Sequence, residues 1–241
     1  MSAQSGQAPI LGVRNLAGGY ANNRILHDVN FAVAPGEIVL FVGHNGAGKS
    51  TILRAITGLL PWCEGKVSVD GEPIGTPNVR RNVETGLSIV LQHHGFFPNF
   101  SVTNNLRLGG YLLDSASLVD ERMARILEFF PRLAERRDSA ARLLSGGEQK
   151  MLSMGIALML EPRVLLVDEP SAGLAPSLAT QVLDQLKTLR DSWNTTILLV
   201  EQNVNAGVRI ADRVLVVRLG TISQTYDAST LRSGEETLQL L

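Results

Sequence analysis

Up to about Val42 the chain carries short runs of apolar and β-branched residues, "ILGVRNL", "DVNFAV" and "EIVLFVG", broken by "GGYANNR" and by the turn Pro35-Gly36. Runs of this kind, bounded by turn formers, predict strands. After Gly48 the spacing becomes helical over "KSTILRAITGLL", ending near Pro61, and "KVSVDGEPI" predicts a hairpin turning at Asp70-Gly71. "LSIVLQ" is expected as a buried strand ending at Gln92. From Ser101 to Leu160 the pattern is mostly helical. Within "LVDERMARILEFFPRL", residues Met123, Ile126, Leu127, Phe130 and Leu133 keep the spacing of one buried face. The helix Asp120 to Arg137 is expected to turn its Glu and Arg residues to solvent.

Strands and helices then alternate: "VLLVDE", a helix from Pro176 to Ser192, "TTILLVE", a short helix from Asn203 to Ile210, and a closing hairpin in "RVLVVRLGTISQT". Buried apolar strands alternating with helices argue for a mainly parallel α/β sheet. No internal repeat or low-complexity linker divides the chain. One domain over residues 10–241 is expected, with a helical subdomain inserted at about 93–160 and a small, polar, disordered tail at 1–9.

Composition adds limits. Apolar residues make up 44% and charged residues 19% of the 241, enough for a large core, and the net charge of −1 gives no global field suited to nucleic acid. The opening "MSAQSGQAP" lacks the basic and apolar regions of a signal peptide, and no apolar run reaches the roughly 20 residues of a membrane span. Cys63 is the single cysteine, which suits a reducing compartment, and it falls in the turn-like link "LLPWCEG" without an activating cation beside it.

The chemistry is concentrated in three stretches. "GHNGAGKST", Gly43 to Thr51, follows a strand and opens a helix, the context that gives a glycine-rich phosphate loop its meaning. Gly43, Asn45, Gly46, Ala47, Gly48, Lys49, Ser50 and Thr51 are the residues expected around the phosphates, with Lys49 reaching the β- and γ-phosphates and Ser50 offering its hydroxyl to Mg²⁺. "VLLVDEP" carries Asp168 to a strand end, where it can hold Mg²⁺, and then Glu169, positioned to orient or deprotonate an attacking water. "LLSGGEQKM" reads as a helix start: Ser145 as N-cap, Gly146 and Gly147 leaving the main chain bare, and Glu148 completing a capping box. A bare helix start is an anion site. A chain with one phosphate loop already does not need a second for the same nucleotide.

Phosphate loop, signature and Asp-Glu pair, in this order from about Leu11 to Gly220, resemble the ATP-binding subunit of ATP-binding cassette (ABC) transporters. The resemblance implies an ABC ATPase fold, a P-loop nucleotidase core with an N-terminal antiparallel β subdomain. It implies ATP and Mg²⁺ as cofactors, and a head-to-tail pair in which Ser145, Gly146 and Gly147 serve the partner's ATP. It further implies that Tyr20 stacks on adenine, that Gln92 touches Mg²⁺ and the attacking water, and that the position of Gln202 contacts the γ-phosphate.

Two positions depart from the family pattern: Gln202 stands where histidine is usual, and Ala175 where aspartate is usual. Together "LSGGEQKML", "DEPSAGLAP" and "LLVEQN" are similar to one ATPase subunit of branched-chain amino-acid importers and of the related urea and amide importers. "VLQHHG" departs from that subgroup, which often has a Pro-Glu-Gly setting there. Implied partners are transmembrane permease subunits, a second ATPase subunit, identical or different, and indirectly a periplasmic binding protein, with the chain peripheral on the cytoplasmic face of the inner membrane. A lipid-exporter ATPase or a soluble ABC ATPase of repair or translation are the alternatives. His93-His94 is expected in a solvated loop, since no further ligand sits at metal spacing. "GFFPNF" suits either packing within the helical subdomain or docking of a membrane subunit.

Overall fold

The computed structural model describes residues 8–74, 78–92 and 95–232. Strands β1 (Leu11–Tyr20) and β2 (Asn23–Val33) form a hairpin, and β3 (Ile38–Val42) leads into α1 (Lys49–Thr57). A second hairpin, β4 (Trp62–Val69) with β5 (Glu72–Ile74), joins the first in an antiparallel sheet ordered β2-β1-β4-β5. After α2 (Val79–Glu84) and β6 (Leu87–Val90) comes the helical insertion: α3 (Val102–Gly109), α4 (Ala116–Phe129), α5 (Pro131–Glu135), a 3₁₀ turn at Ala141–Leu143 and α6 (Gly146–Leu158). The chain closes with β7 (Val164–Asp168), α7 (Pro176–Trp193), β8 (Thr196–Val200), α8 (Val204–Ile210), β9 (Arg213–Arg218), β10 (Thr221–Asp227) and α9 (Ala228–Arg232).

The second sheet has the order β10-β9-β3-β8-β7-β6 and is parallel except for β10. Its central strands β3, β7 and β8 are apolar except for Asp168 at the end of β7 and Thr196 at the start of β8, because both faces are covered. Leu40, Leu165, Val167 and Leu199 face a core shared with α6 and α7, while Val39, Phe41, Leu166 and Leu198 face a second core shared with α1 and the antiparallel sheet. Alternation of period two sends successive side chains to opposite cores.

Several boundaries differ from those the sequence suggests. "GGYANNR" is strand almost throughout; only Ala21 and Asn22 turn, with Ala21 at φ 47° and its carbonyl held by the Trp62 indole N–H at 2.9 Å. Cys63 lies within β4, not in a link. The helix expected to reach Arg137 stops at Phe129, because Pro131 has no N–H to continue the ladder and instead opens α5 at its first position. Ile126, Phe130 and Leu133 are buried as expected, with Met123 and Leu127 partly buried against the same core. β6 ends at Val90, two residues short of Gln92, and α2 was not legible in the pattern. His93-His94 and most of the expected tail at 1–9 lie outside the described residues. Within "GFFPNF", Phe96 packs on the core, while Phe97 and Phe100 are exposed and stacked at 5.5 Å.

Buried Asn105 holds that phenylalanine loop. Its Oδ1 accepts from Phe97 N at 2.7 Å, and its amide donates to the carbonyls of Phe97, Phe100 and Ser101 at 3.0, 3.2 and 3.0 Å. Asn105→Ala strands those groups, so it is expected to cost about 2–3 kcal/mol. Urea denaturation should show a lower midpoint at unchanged slope; an unchanged midpoint would remove this role from Asn105.

Candidate functional site

The site is assembled where strands of the parallel sheet end. β3 runs straight into the loop Gly43–Gly48. Position 43 must be glycine, since a Cβ there would lie 2.2 Å from the Val217 carbonyl. Gly48 caps α1 at φ 106° with no side-chain bond, and α1 has no acidic residue in its first turn. The helix therefore offers its free N–H groups and positive dipole end to an anion. Behind the loop, Gly220 in the β9–β10 turn donates to Ala47 O at 2.8 Å, bracing it from the far end of the chain. Asn45 and Gly46 are exposed, Ala47 and Gly48 are buried and Thr51 is half-buried on α1.

Lys49 is buried, and its ammonium donates to the carbonyls of Gly43 and His44 at 2.6 and 3.0 Å, folded back across the loop. Burial pulls its pKa down, opposed by the charges of Glu169 and Asp168. Ser50 Oγ donates to Asp168 Oδ1 at 2.7 Å. Burial holds the Asp168 carboxyl above the usual range, against that hydrogen bond, which lowers it. The pair presents hard oxygens, one hydroxyl and one carboxylate, and no group of three or more His, Cys, Asp or Glu that could hold a metal ion occurs among the described residues. So sparse a set suits Mg²⁺, which keeps waters and completes its shell with phosphate oxygens, better than a metal needing a full protein cage.

Glu169 follows at φ 47°, a left-handed conformation rare for a non-glycine residue. The conformation is held by its N–H donating to Val200 O at 2.9 Å, which prolongs the β7–β8 pairing by one bond. Both glutamines singled out in the sequence converge on one oxygen: Gln92 Nε2 and Gln202 Nε2 donate to Glu169 Oε2 at 2.7 and 2.8 Å. No hydrogen-bond donor among the described residues meets Oε1. Gln92 and Gln202 thus meet at the carboxylate rather than at separate points.

Sequence patterning overlooked the layer behind these groups. Buried Glu201 accepts from Ser171 N and Ser171 Oγ at 2.9 and 2.8 Å, tying the loop after Glu169 to the residue before Gln202. Burial raises the Glu201 pKa while those bonds lower it. A glutamate directly after an apolar strand was the available signal. Tyr20, exposed at the end of β1, accepts a hydrogen bond on its hydroxyl from Arg54 at 3.1 Å. At Ala175 the N-cap of α7 lacks a side-chain bond, and Pro176 at the next position needs no donor partner.

The signature forms a complete capping box. Ser145 Oγ accepts from Glu148 N, and Glu148 Oε2 accepts from Ser145 N at 2.7 Å. Ser145 and Gly146 are exposed while Gly147 is buried, and no hydrogen bond joins this turn to Gly43–Thr51 among the described residues.

Comparison with known families gives a match to the model described as ABC transporter over residues 26–172. The chain belongs to the ABC transporter family. As a member of that family it is an ATP-binding, ATPase-type subunit. It is 40% identical over 204 residues to the high-affinity branched-chain amino acid transport ATP-binding protein BraG of Pseudomonas aeruginosa, covering 84% of this chain and 86% of that one. A probable branched-chain amino acid transport ATP-binding protein, LivF of Archaeoglobus fulgidus, is 35% identical over 92% of this chain and 93% of the relative. ATP-binding proteins named for Fe(3+) import and other importers also match. A crystal structure of a nucleotide-free ATP-binding cassette from an ABC transporter aligns with TM-score 0.84 at 26% identity, over 97% of this chain and 98% of that one. No helix among the described residues of this ABC subunit is long and apolar enough to cross a membrane.

The raised pKa of Asp168 has a measurable consequence. A carboxyl raised in the folded state binds more protons there than in the unfolded chain, so its charge costs stability as pH climbs through and past the ordinary carboxylate range. Asp168→Asn removes that cost. Without nucleotide, at pH 8, it is expected to melt about 2–4 °C higher, the shift for about 1 kcal/mol in a chain this size. The gain should shrink toward pH 4. A variant that melts lower than the parent at pH 8 would contradict this account.

Proposed function

We propose that this chain is the ATP-hydrolysing subunit of a membrane importer, with branched-chain amino acids as cargo. The observation that carries hydrolysis is the convergence of Gln92 and Gln202 on Glu169 Oε2, beside the Ser50–Asp168 pair and the phosphate loop. The choice of importer and cargo is supported by the names of the relatives BraG and LivF.

In this proposal the N–H groups of Gly43–Gly48 and α1 cradle the phosphates, and Lys49 exchanges its two carbonyl partners for the β- and γ-phosphate oxygens. Ser50, Asp168 and the Gln92 side chain hold Mg²⁺, which when bound supplies charge neutralisation of the phosphate oxygens. Glu169, fixed through Oε2, uses Oε1 to orient or deprotonate the water that attacks the γ-phosphate in line. Gln202 keeps the carboxylate aimed and donates toward the γ-phosphate. Tyr20 stacks on adenine, its hydroxyl anchored by Arg54.

Ser145, Gly146 and Gly147 serve ATP held by a second ATPase subunit, identical or different, so each site is complete only in the pair. Permease subunits dock on the helical insertion, where Phe97 and Phe100 are exposed, and a periplasmic binding protein delivers cargo to them. The chain lies peripherally on the cytoplasmic face of the inner membrane. Because Gln202 cannot titrate near neutrality, it holds Glu169 alike at pH 6 and pH 8.

Two measurements test this. Assembled with its permease in vesicles, the parent should take up leucine on ATP hydrolysis, and Glu169→Gln should lose at least about a hundredfold in kcat while still binding ATP. Uptake stimulated by urea and not by leucine would replace the cargo. Gln202→Ala should lower kcat about tenfold, roughly the loss expected for one positioning hydrogen bond; turnover at the parent rate would remove Gln202 from the reaction.

A further inference from the structure

Helix α6 carries a cation that none of these roles uses. Lys150 sits in the second turn of α6, the helix whose start is formed by Ser145, Gly146 and Gly147. Its half-buried ammonium donates to the main-chain oxygen of Gln92 at 2.7 Å. The side chain of the same Gln92 donates to Glu169 Oε2 at 2.7 Å. Two hydrogen bonds in series thus connect the signature helix to the carboxylate.

Charge points the same way. Asp168, Glu169 and Glu201 are all buried at the ends of β7 and β8. Lys49 opposes Asp168 and Glu169 from the phosphate loop, and Lys150 opposes all three from the helical insertion, where the charges of Glu201, Asp168 and Glu169 support its protonated form against burial. An ammonium is a compact donor with no acceptor, and the oxygen it meets here is the Gln92 carbonyl.

We propose that Lys150 is a positioning residue for ATP hydrolysis: it grips the Gln92 main chain, holds the Gln92 amide on Glu169, and transmits movement of the signature helix to that carboxylate. The inference rests on the role proposed above for Glu169. It gives the signature a second task within its own subunit, besides the site it completes in trans. When α6 shifts as the partner's nucleotide engages Ser145, Lys150 shifts with it, and the amide contact on Glu169 is made or loosened.

The test is a series at position 150. Lys150→Met keeps the length but removes donor and charge, Lys150→Gln keeps a donor without charge, and Lys150→Arg keeps both. In the assembled transporter the Met variant is expected to lose about ten- to a hundredfold in kcat with KM for ATP little changed, the pattern of an interaction lost in the transition state and not in ATP binding. The Arg variant should recover most of the rate and the Gln variant should fall between. The isolated Met variant should melt no lower than the parent, because a half-buried ammonium has been replaced by an apolar chain. Amide exchange in the segment carrying Gln92 should be faster in Met than in parent or Arg. Parent turnover in the Met variant, or equal losses in Met and Arg together with a lower melting point, would overturn the proposal. If the parent itself shows no ATPase, the proposed function fails, and unchanged exchange in the Met variant then overturns the grip on Gln92 separately.

Discussion

Everything at the site depends on the lateral order β9-β3-β8-β7-β6 in a parallel sheet. Parallel strands end on the same edge, so one edge receives the phosphate loop from β3, the Asp168-Glu169 pair from β7, Glu201-Gln202 from β8 and Gln92 from just beyond β6. Parallel sheets place their ligands at the carboxyl ends of the strands for this reason. The sheet holds that register because its central strands are buried on both faces, where a slip of one residue would exchange the side chains of two cores at once.

The carboxylates on that edge act against stability. Asp168 and Glu201 are buried and their pKa values are raised by that burial, and Glu169 is held in a left-handed conformation. Each is accepted because a specific bond compensates: Ser50 on Asp168, Ser171 on Glu201, and two amides together with the Val200 carbonyl at Glu169. Strain and buried charge at one edge, surrounded by an apolar sheet, is the pattern expected of a site selected for reaction rather than for folding.

Much of this was legible in the sequence because the main chain imposes it. A tight turn packed against main chain needs glycine, a helix start favours a capping side chain, and a parallel strand buried on both faces favours an apolar run; Gly43, Ser145 with Glu148, and "VLLV" each fit such a preference. The convergence of Gln92 and Gln202 on one oxygen was hidden, since it depends on β6 and β8 flanking β7, and strand order leaves no trace in periodicity. Lys150 and Ser171 were hidden for the same reason, their partners being 58 and 30 residues away. The break after Phe129 was written in Pro131, but the spacing of Ile126, Phe130 and Leu133 carries across it, because both short helices bury the same face.

The order of strands also governs how the chain can be made. β3, at residues 38–42, lies between β8 and β9, which come from residues 196–200 and 213–218. During synthesis the strand that feeds the phosphate loop therefore leaves the ribosome long before either neighbour exists. At ordinary elongation rates the wait is on the order of ten seconds or more. Through that interval "IVLFV" is an unpaired apolar segment, the kind of exposed strand on which chains associate wrongly. The turn that braces the loop, at Gly220, arrives last. A nascent chain has no complete nucleotide site until Gly220 has been made, and among the described strands the hairpin β1–β2, complete by Val33, is the first able to close on itself.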